Sequence, residues 1–306
     1  MQKYLLSRLL QAVLILFGVL VLVFFMVRIA GDPVNLMVPR EASEEYREEF
    51  RNMMGFNRPL LVQLADFMGG ALVGDFGNSL HFKEPAMPMV VHRLPATLEL
   101  AGAGMIMAIV VAIPLGLIGG FRPGTWIDSL GRFLGLLGQS TPSFWLALLM
   151  IFFFAVDLGW FPSFGRDSIK SIILPGFVMG FGGMGALVRL TRSATMEIRG
   201  EDYIRTARSK GLLPKTIYIK HVLRNVLIPL VSVIGVSFGY SLGGSIYIET
   251  IFAWPGMGQL VQQAIGWRDY PLIQAIAVFT SVVVVLMSLL TDVAYAFIDP
   301  RIRYND

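Results

Sequence analysis

Long apolar runs alternate with short polar segments along most of the 306-residue chain. Six runs reach or approach the roughly 20 residues that an α-helix needs to cross the hydrocarbon core of a bilayer. They cover residues 9–29, 97–120, 133–156, 172–190, 227–248 and 272–297. The pattern therefore predicts an all-α, polytopic membrane helix bundle of about six transmembrane helices.

Composition supports a membrane protein and argues against a nucleic-acid partner. The chain is 55% hydrophobic and only 15% charged, whereas about a quarter of the residues in a soluble domain are charged. The net charge of +4 comes from basic residues beside the apolar runs, and no basic run is interleaved with aromatic residues. This placement indicates orientation in a bilayer.

The polar segment 192–225 is the strongest marker of that orientation. It holds eight basic and three acidic residues, a net charge of +5. Because short cytoplasmic loops are enriched in Lys and Arg, we expect this loop and both termini in the cytoplasm. Lys215 and Arg303 should then lie inside, with Glu48 and Gln262 outside.

The positions of the six apolar runs divide the chain into three parts. Residues 1–30 form an N-terminal transmembrane helix, and residues 31–96 form an extracytoplasmic loop region. Residues 97–306 form a core of five transmembrane helices that includes the loop 192–225. The acidic stretch after residue 40 has the composition of a solvated helix face.

Residues 201–229 read EDYIRTARSKGLLPKTIYIKHVLRNVLIP. No helix breaker interrupts the first ten residues, Gly211 and Pro214 then turn the chain, and Gly211 suits a left-handed helix end. Apolar residues next recur at helical spacing from Tyr218 to Leu227, which predicts a second, amphipathic helix. The segment is interpreted as a platform on which another protein presses. The alternative is a solvated basic hairpin attracted to anionic lipid.

A few residues inside or beside the apolar runs are candidates for a translocation path or a gate. Glu99 lies near the outer end of the second run, where a carboxylate either caps the interface or faces a cavity. Pro142 should kink the third run. Trp254, Pro255, Gly256 and Gly258 should form a tight turn, before residues 260–265 fold back on the bundle as a short amphipathic piece. The glycines of the fourth run are typical of close helix packing.

The sequence lacks the usual signatures of catalysis. It contains no GxxxxGK[ST] phosphate loop, no GxGxxG motif after a strand, no HExxH motif and no cysteine. The histidines at positions 81, 92 and 221 are dispersed, so no metal site is expected. We therefore expect no catalytic residue and no cofactor in this chain. If it takes part in pumping, a partner must hydrolyse the nucleotide.

Several motifs together resemble one family, the permeases of ATP-binding-cassette (ABC) importers, in the dipeptide/oligopeptide version of the first permease subunit. The strongest is EDYIRTARSKG followed by HVLRNVLIP; the others are GDPV, GDFGNSL, ETIFAWPGMG, RDYPLIQA and DPRIRY. The resemblance covers the whole chain and implies a type I permease fold. One departure is that the usual Glu-Ala-Ala triplet reads Arg205-Thr206-Ala207.

The resemblance implies a coupling helix at residues 202–212 that rests in a groove of an ATPase subunit, with Ala207 facing that partner. The implied interface residues are Asp202, Tyr203, Arg205, Thr206, Ala207, Lys210 and Gly211. The missing glutamate of the triplet puts in doubt the salt bridge to the ATPase that sugar importers make.

The resemblance also implies partners and a location. A second permease subunit would complete a heterodimer in the inner membrane of a bacterial or archaeal cell. Two ABC ATPase subunits would bind ATP and Mg, and an extracytoplasmic binding protein would deliver the substrate. Dipeptides, oligopeptides, glutathione and nickel chelates are all transported by similar permeases, and the glutathione/short-peptide branch fits best. An ion-coupled secondary transporter remains an alternative, although it would need paired ionisable residues at mid-membrane.

Overall fold

The structure, a computed structural model, describes residues 2–29, 32–38, 41–213 and 216–298. Within these ranges the chain is all-α, and the β-type pairing there is an isolated bridge between Asn78 and Pro85. The predicted elbow residue Pro214 and the predicted cytoplasmic markers Lys215 and Arg303 lie outside the described residues.

The α-helices are numbered here in chain order. They are α1 (Gln2–Ile29), α2 (Pro33–Met37), α3 (Glu44–Met53), α4 (Leu60–Val73), α5 (Ala86–Phe121), α6 (Trp126–Ser140), α7 (Ser143–Met150), α8 (Ile173–Arg199), α9 (Asp202–Ser209), α10 (Arg224–Gly244), α11 (Ile246–Ile251), α12 (Met257–Gly266) and α13 (Tyr270–Ile298). Two π-helical segments, Ile151–Asp157 and Ile217–Leu223, and a 3-10 turn, Ile169–Ile172, join some of them.

Four of the described helices, α1, α5, α8 and α13, are long and apolar enough to cross a membrane. They confirm four of the six predicted spans. The other two predicted spans are bent pairs of helices, so the described chain has four to six candidate spans. α5 begins at Ala86, well before the predicted start at residue 97, and α8 continues beyond residue 190 to Arg199.

The third predicted span is broken more sharply than a kink. α6 and the helix that starts at Ser143 differ in direction by 106°. Pro142 stands at the N-cap of α7, where its missing amide hydrogen removes no helical hydrogen bond. The predicted break at Pro142 is confirmed, but the helix before it begins at Trp126, ahead of the predicted start of this run at residue 133.

The fifth predicted span also differs from expectation. The segment Ile217–Leu223 is a π-helix that runs directly into α10, so the expected separate second helix is absent from this described stretch. The axis bends by 47° near Pro229, which lies inside α10 instead of opening it. Ile219, assigned to the apolar face from α-helical spacing, is exposed. The i→i+5 bonding of a π-helix shifts which residues share a face.

The chain divides into two compact units, each described here by itself. The first comprises Met1–Thr97 and Pro255–Leu286. Its core includes the buried residues Val90, Leu260 and Leu272. α12 carries the predicted amphipathic piece, which packs into this core through Leu260 and Ala264, while Gly258 lies in the helix instead of the turn.

The acidic stretch of the first unit forms α3, as its composition indicated. Ser43 accepts a hydrogen bond from the amide of Tyr46 and so caps the helix. The glutamates of α3 are exposed, whereas Phe50 packs in a small core with Val34 and Val38. The polar face is therefore solvated, and a short apolar stripe holds the helix in place.

The second unit comprises Leu98–Trp254 and Met287–Asp306. Glycines bring its helices close together. A Cβ atom added at Gly185 of α8 would lie 2.9 Å from the carbonyl carbon of Gly135 on α6, and one at Gly116 of α5 would lie 2.8 Å from Cγ2 of Thr191. Both distances are shorter than a normal contact, so larger side chains would force the helices apart. These crossings are typical of small residues in membrane helices.

Candidate functional site

The predicted coupling segment forms a short helix, α9, which ends where the sequence indicated. Asp202 in its first turn and Arg208 in its last turn complement the helix dipole. At the C-terminal end the amide of Gly211 donates to Arg208 O at 2.9 Å, and that of Leu212 donates to Ala207 O at 3.3 Å. Gly211 has a φ of 72°. This pair of bonds around a left-handed glycine closes the helix, so the prediction that Gly211 ends the helix is confirmed.

The inner face of α9 packs against the chain's own core. Ile204 is fully buried, and Ala207 is only 6% exposed. They share a cluster with Ile217, Val222 and Val226. Ala207 therefore lies on the inner side of α9 in this chain, and its contact with a partner stays a prediction. Ile204 and Ala207 lie three residues apart in an otherwise polar helix, and this spacing defines the stripe that must face the core.

Tyr203 connects α9 to the beginning of α10. Its hydroxyl accepts a hydrogen bond from Nδ2 of Asn225 at 2.9 Å, and the same nitrogen also donates to His221 O. Tyr203 nevertheless stays partly accessible to solvent. This residue therefore holds the orientation of α9 while still contributing to its surface.

The outer face of α9 presents the remaining predicted interface residues. Asp202, Arg205, Thr206 and Lys210 are all exposed. Arg205 and Asp202 form an ion pair at 3.3 Å, with 78% and 93% of their side chains accessible. Such exposed pairs stabilise a helix by about 0–1 kcal/mol, so both groups remain available to a binding partner. We call α9 with this outer face the platform.

An ion pair that the sequence analysis missed fixes the turn between α5 and α6 to α8. Arg192 donates to both carboxylate oxygens of Asp128, at 2.6 and 3.2 Å, and the amide of Gly124 donates to the same carboxylate at 3.0 Å. The Asp128 side chain is 1% exposed. The sequence marks Asp128 as the one carboxylate in a link that also carries Arg122 and Arg132, but nothing in it marks Arg192 as the partner.

Two further contacts join this turn to the segments that precede and follow the platform. Arg199 Nη1 donates to Phe121 O at 2.9 Å, and the ring of Phe121 lies 3.7 Å from the ring of Tyr218, centroid to centroid. Phe121 ends α5, and Tyr218 belongs to the π-helix after α9. The chain on either side of the platform is therefore packed against the second unit.

Two of the predicted gate residues, Glu99 and Trp254, lie near the same arginine, Arg166. Glu99 makes an ion pair with Arg166, 2.5 Å between Oε2 and Nη2, and the Arg166 guanidinium lies 5.9 Å from the ring centre of the buried Trp254. Arg166 was missed from sequence because it lies 67 positions from its partner. Pro142 stands at the break between α6 and α7, a separate feature.

Pro255 and Gly256 belong to the first unit, where they precede α12. The amide of Met257 donates to Thr97 Oγ1 at 2.8 Å and fixes the start of that helix. The predicted tight turn here is accompanied by a left-handed Ala253, with φ of 47°. Within the part of the chain that the structure describes, no group of three or more His, Asp or Glu side chains could hold a metal ion.

Comparison with known proteins defines the class. Residues 112–304 match the family described as binding-protein-dependent transport system inner membrane component, and residues 1–101 match its N-terminal component. The chain therefore belongs to this family of ABC importer permeases. Its architecture, an all-α bundle of candidate membrane helices with an exposed platform, is that of a transport subunit.

The chain is similar over its whole length to curated relatives in bacteria. It is 39% identical to the glutathione transport system permease protein GsiC of Salmonella typhimurium, covering 100% of both chains. It is 38% identical to the oligopeptide transport system permease protein AppB of Bacillus subtilis, covering 99% of this chain and 100% of that protein. Identity to the dipeptide transport system permease protein DppB of Alkalihalophilus pseudofirmus is 36%, with the same coverage.

Solved structures share the fold. An inward-facing conformation of the MetNI methionine ABC transporter has a chain that superposes with a TM-score of 0.57 at 21% identity, covering 70% of this chain and 97% of its own. A chain of an amino acid ABC transporter with histidines gives a TM-score of 0.53 at 14% identity, covering 69% and 94%. At these identities the likeness shows the fold alone.

Proposed function

We propose that this permease forms the path by which short peptides, of the dipeptide, oligopeptide or glutathione class, cross the membrane. The observation that carries the proposal is full-length similarity, at 36–39% identity, to relatives named as permeases for these compounds. The peptide backbone and its charged ends are the chemistry that these names have in common.

The platform is the proposed contact with an ATPase subunit. Its outer face is exposed and polar, and its inner face is anchored through Ile204 and Ala207. A rigid helix can transmit movement to the bundle, whereas a floppy loop cannot. The sequence has no phosphate-binding loop, so ATP and Mg belong to two partner ATPases in this proposal. A second permease subunit and an extracytoplasmic binding protein complete the importer.

The platform and both chain ends are proposed to face the cytoplasm. The charge of the segment 192–225 supports this orientation. Since the chain has no cysteine, a Thr206→Cys variant carries a single thiol, at position 206. A thiol reagent that does not cross membranes should label it in inside-out vesicles and not in intact cells. Labelling in intact cells would reverse the orientation.

The substrate class is tested in cells that lack their own peptide importers. The complete set of subunits should restore uptake of a labelled dipeptide or of glutathione, and omission of this chain should abolish it. Excess unlabelled peptide should compete, because one path serves the whole class. Uptake of a nickel chelate without uptake of any peptide would instead assign the chain to nickel transport.

A further inference from the structure

α8 has one face packed in the second unit and another face that is exposed and carries both polar and apolar residues. The exposed face carries Gly182, Gly183, Arg189 and Ser193. Gly182 and Gly183 make no close helix contact within this chain, because a Cβ atom at either position would meet nothing within 4 Å. Backbone is thus left accessible on this side of the helix.

The exposed stripe of α5 is a useful contrast. It consists of apolar residues, with Ile106 63% and Val110 64% exposed, followed by Ile118. Such a stripe suits lipid tails. The face of α8, with an arginine, a serine and bare glycine, does not, although both helices are candidate membrane spans in the same unit. The two faces therefore differ in composition.

The side chain of Arg189 extends along α8 toward the middle of the helix. Its Nη1 donates to Oε1 of Gln139 on α6 at 3.1 Å. The position of this hydrogen bond along α8 follows from a neighbouring contact, in which Gly135 of α6 lies against Gly185 of α8. Side chains of a helix lean toward its N-terminal end. The Arg189 side chain therefore points away from the end of α8 that carries Arg199 and toward the middle of the span. An arginine that extended to the nearby membrane interface would point the other way.

Arg189 differs from the other arginines of this unit that lie near carboxylates. Arg192 pairs with Asp128, and Arg166 pairs with Glu99. Among the described residues, the recorded side-chain partner of Arg189 is the neutral Gln139. A guanidinium has five N–H donors, and most of those of Arg189 remain for another group. A cation facing lipid inside a span costs about 2.5–3.5 kcal/mol on insertion scales, so water or an anion is expected here.

The surroundings of Gly183 provide polar groups and space. A cavity of about 50 Å³ lies beside Gly183 and Gly104, with Ser237 and Ser241 of α10 in its wall. Gln139 and Ser140 at the end of α6 are exposed near the break before α7. An amide and accessible backbone thus accompany the guanidinium, whereas the cavity beside Gly183 has a mainly apolar wall that includes Met105, Ala108 and Leu187.

We propose that this face of α8 lines the translocation path and that Arg189 binds the carboxylate of a passing peptide. The inference rests on the proposed peptide function and names a specificity-determining residue within it. A guanidinium binds a carboxylate through two parallel hydrogen bonds, which a lysine ammonium cannot reproduce. Every unmodified peptide carries a C-terminal carboxylate, so one arginine can serve many sequences. Gly182 and Gly183 leave room for the peptide backbone beside it.

The first test measures water access in the complete importer. Arg189→Cys is compared with Val110→Cys, its matched control on the apolar stripe of α5, and adducts are counted by mass on this chain. A charged thiol reagent should modify position 189 at least about tenfold faster, because thiols react as hydrated thiolates. Equal, slow rates at both positions would show that the α8 face contacts lipid or protein, and would overturn the path assignment.

The second test measures carboxylate recognition in proteoliposomes. Arg189→Gln should slow uptake of a peptide about tenfold, as loss of a charge-assisted bidentate contact does, and should slow its C-terminal amide much less. Binding-protein-stimulated ATP hydrolysis should persist, and Arg189→Lys should recover part of the rate. Arg122→Gln, an exposed arginine outside the face, is the control and should behave as wild type.

The outcomes separate the alternatives. An unchanged rate in Arg189→Gln overturns the carboxylate contact. If Arg189→Gln slowed uptake of the peptide and of its amide equally and also abolished ATP hydrolysis, Arg189 would instead be the partner of a counter-ion in the second permease subunit. If the wild-type importer moves no peptide, the proposed function fails, whereas thiol access at position 189 still decides whether the face lines a path.

Discussion

Replacing Asp128 with asparagine should destabilise the permease by about 3–5 kcal/mol, the usual cost of removing one partner from a buried ion pair. The Asp128 carboxylate receives two hydrogen bonds from Arg192 and one from the Gly124 amide, and it is almost completely buried. Asparagine has the same size, so the loss comes from charge and not from a cavity. Thermal unfolding of the purified complex in detergent measures the effect.

The matched control is Asp202→Asn, which removes the carboxylate of the exposed Asp202–Arg205 pair on α9. An exposed pair contributes about 0–1 kcal/mol, so this variant should unfold close to the wild type. If the two variants lost equal stability, the ion pair between α6 and α8 would not be the element that fixes the α5–α6 turn.

The second large effect is expected at the platform. Arg205→Glu reverses an exposed charge on the outer face of α9, which should leave the permease folded. If an ATPase subunit binds this face, a misplaced charge there costs several kcal/mol. Co-purification of the ATPase and peptide uptake should then both fall by about a hundredfold or more, since each 1.4 kcal/mol is tenfold.

Lys220→Glu distinguishes this docking from attraction to anionic lipid. Lys220 is an exposed basic residue of the adjoining π-helix. Lipid attraction contributes about 1 kcal/mol per basic residue near the membrane surface, so for two exposed basic residues of the same segment it predicts similar losses. Docking predicts a much larger loss for Arg205→Glu. Ala207→Asp is less informative, because a charge at the buried Ala207 would damage the platform itself.

Local sequence patterns predicted much of this fold because they report on neighbouring residues. Apolar runs located four straight spans, and Pro142 located the break between α6 and α7. Gly211 was predicted to end α9 because few other residues accept a left-handed conformation there. In each case the decisive physics acts within one or two helical turns.

The unpredicted features depend on residues far apart in the chain. Asp128 and Arg192 are separated by 64 positions, so neither residue's neighbours indicate the pair. The inner position of Ala207 follows from the core that Ile217 and Val222 supply. The π-helix after α9 changes which side chains share a face, and an assumed α-helical spacing therefore misplaced Ile219.

ATP-dependent peptide uptake by the reconstituted importer tests the central claim most directly. Proteoliposomes hold this chain with its second permease, the two ATPases and the binding protein, and ATP is supplied on the side of the platform. We predict uptake that requires ATP and the binding protein and that stops when Arg205→Glu replaces the wild-type chain. Uptake that continued without the ATPases, driven by an imposed proton gradient, would contradict the account and identify a secondary transporter.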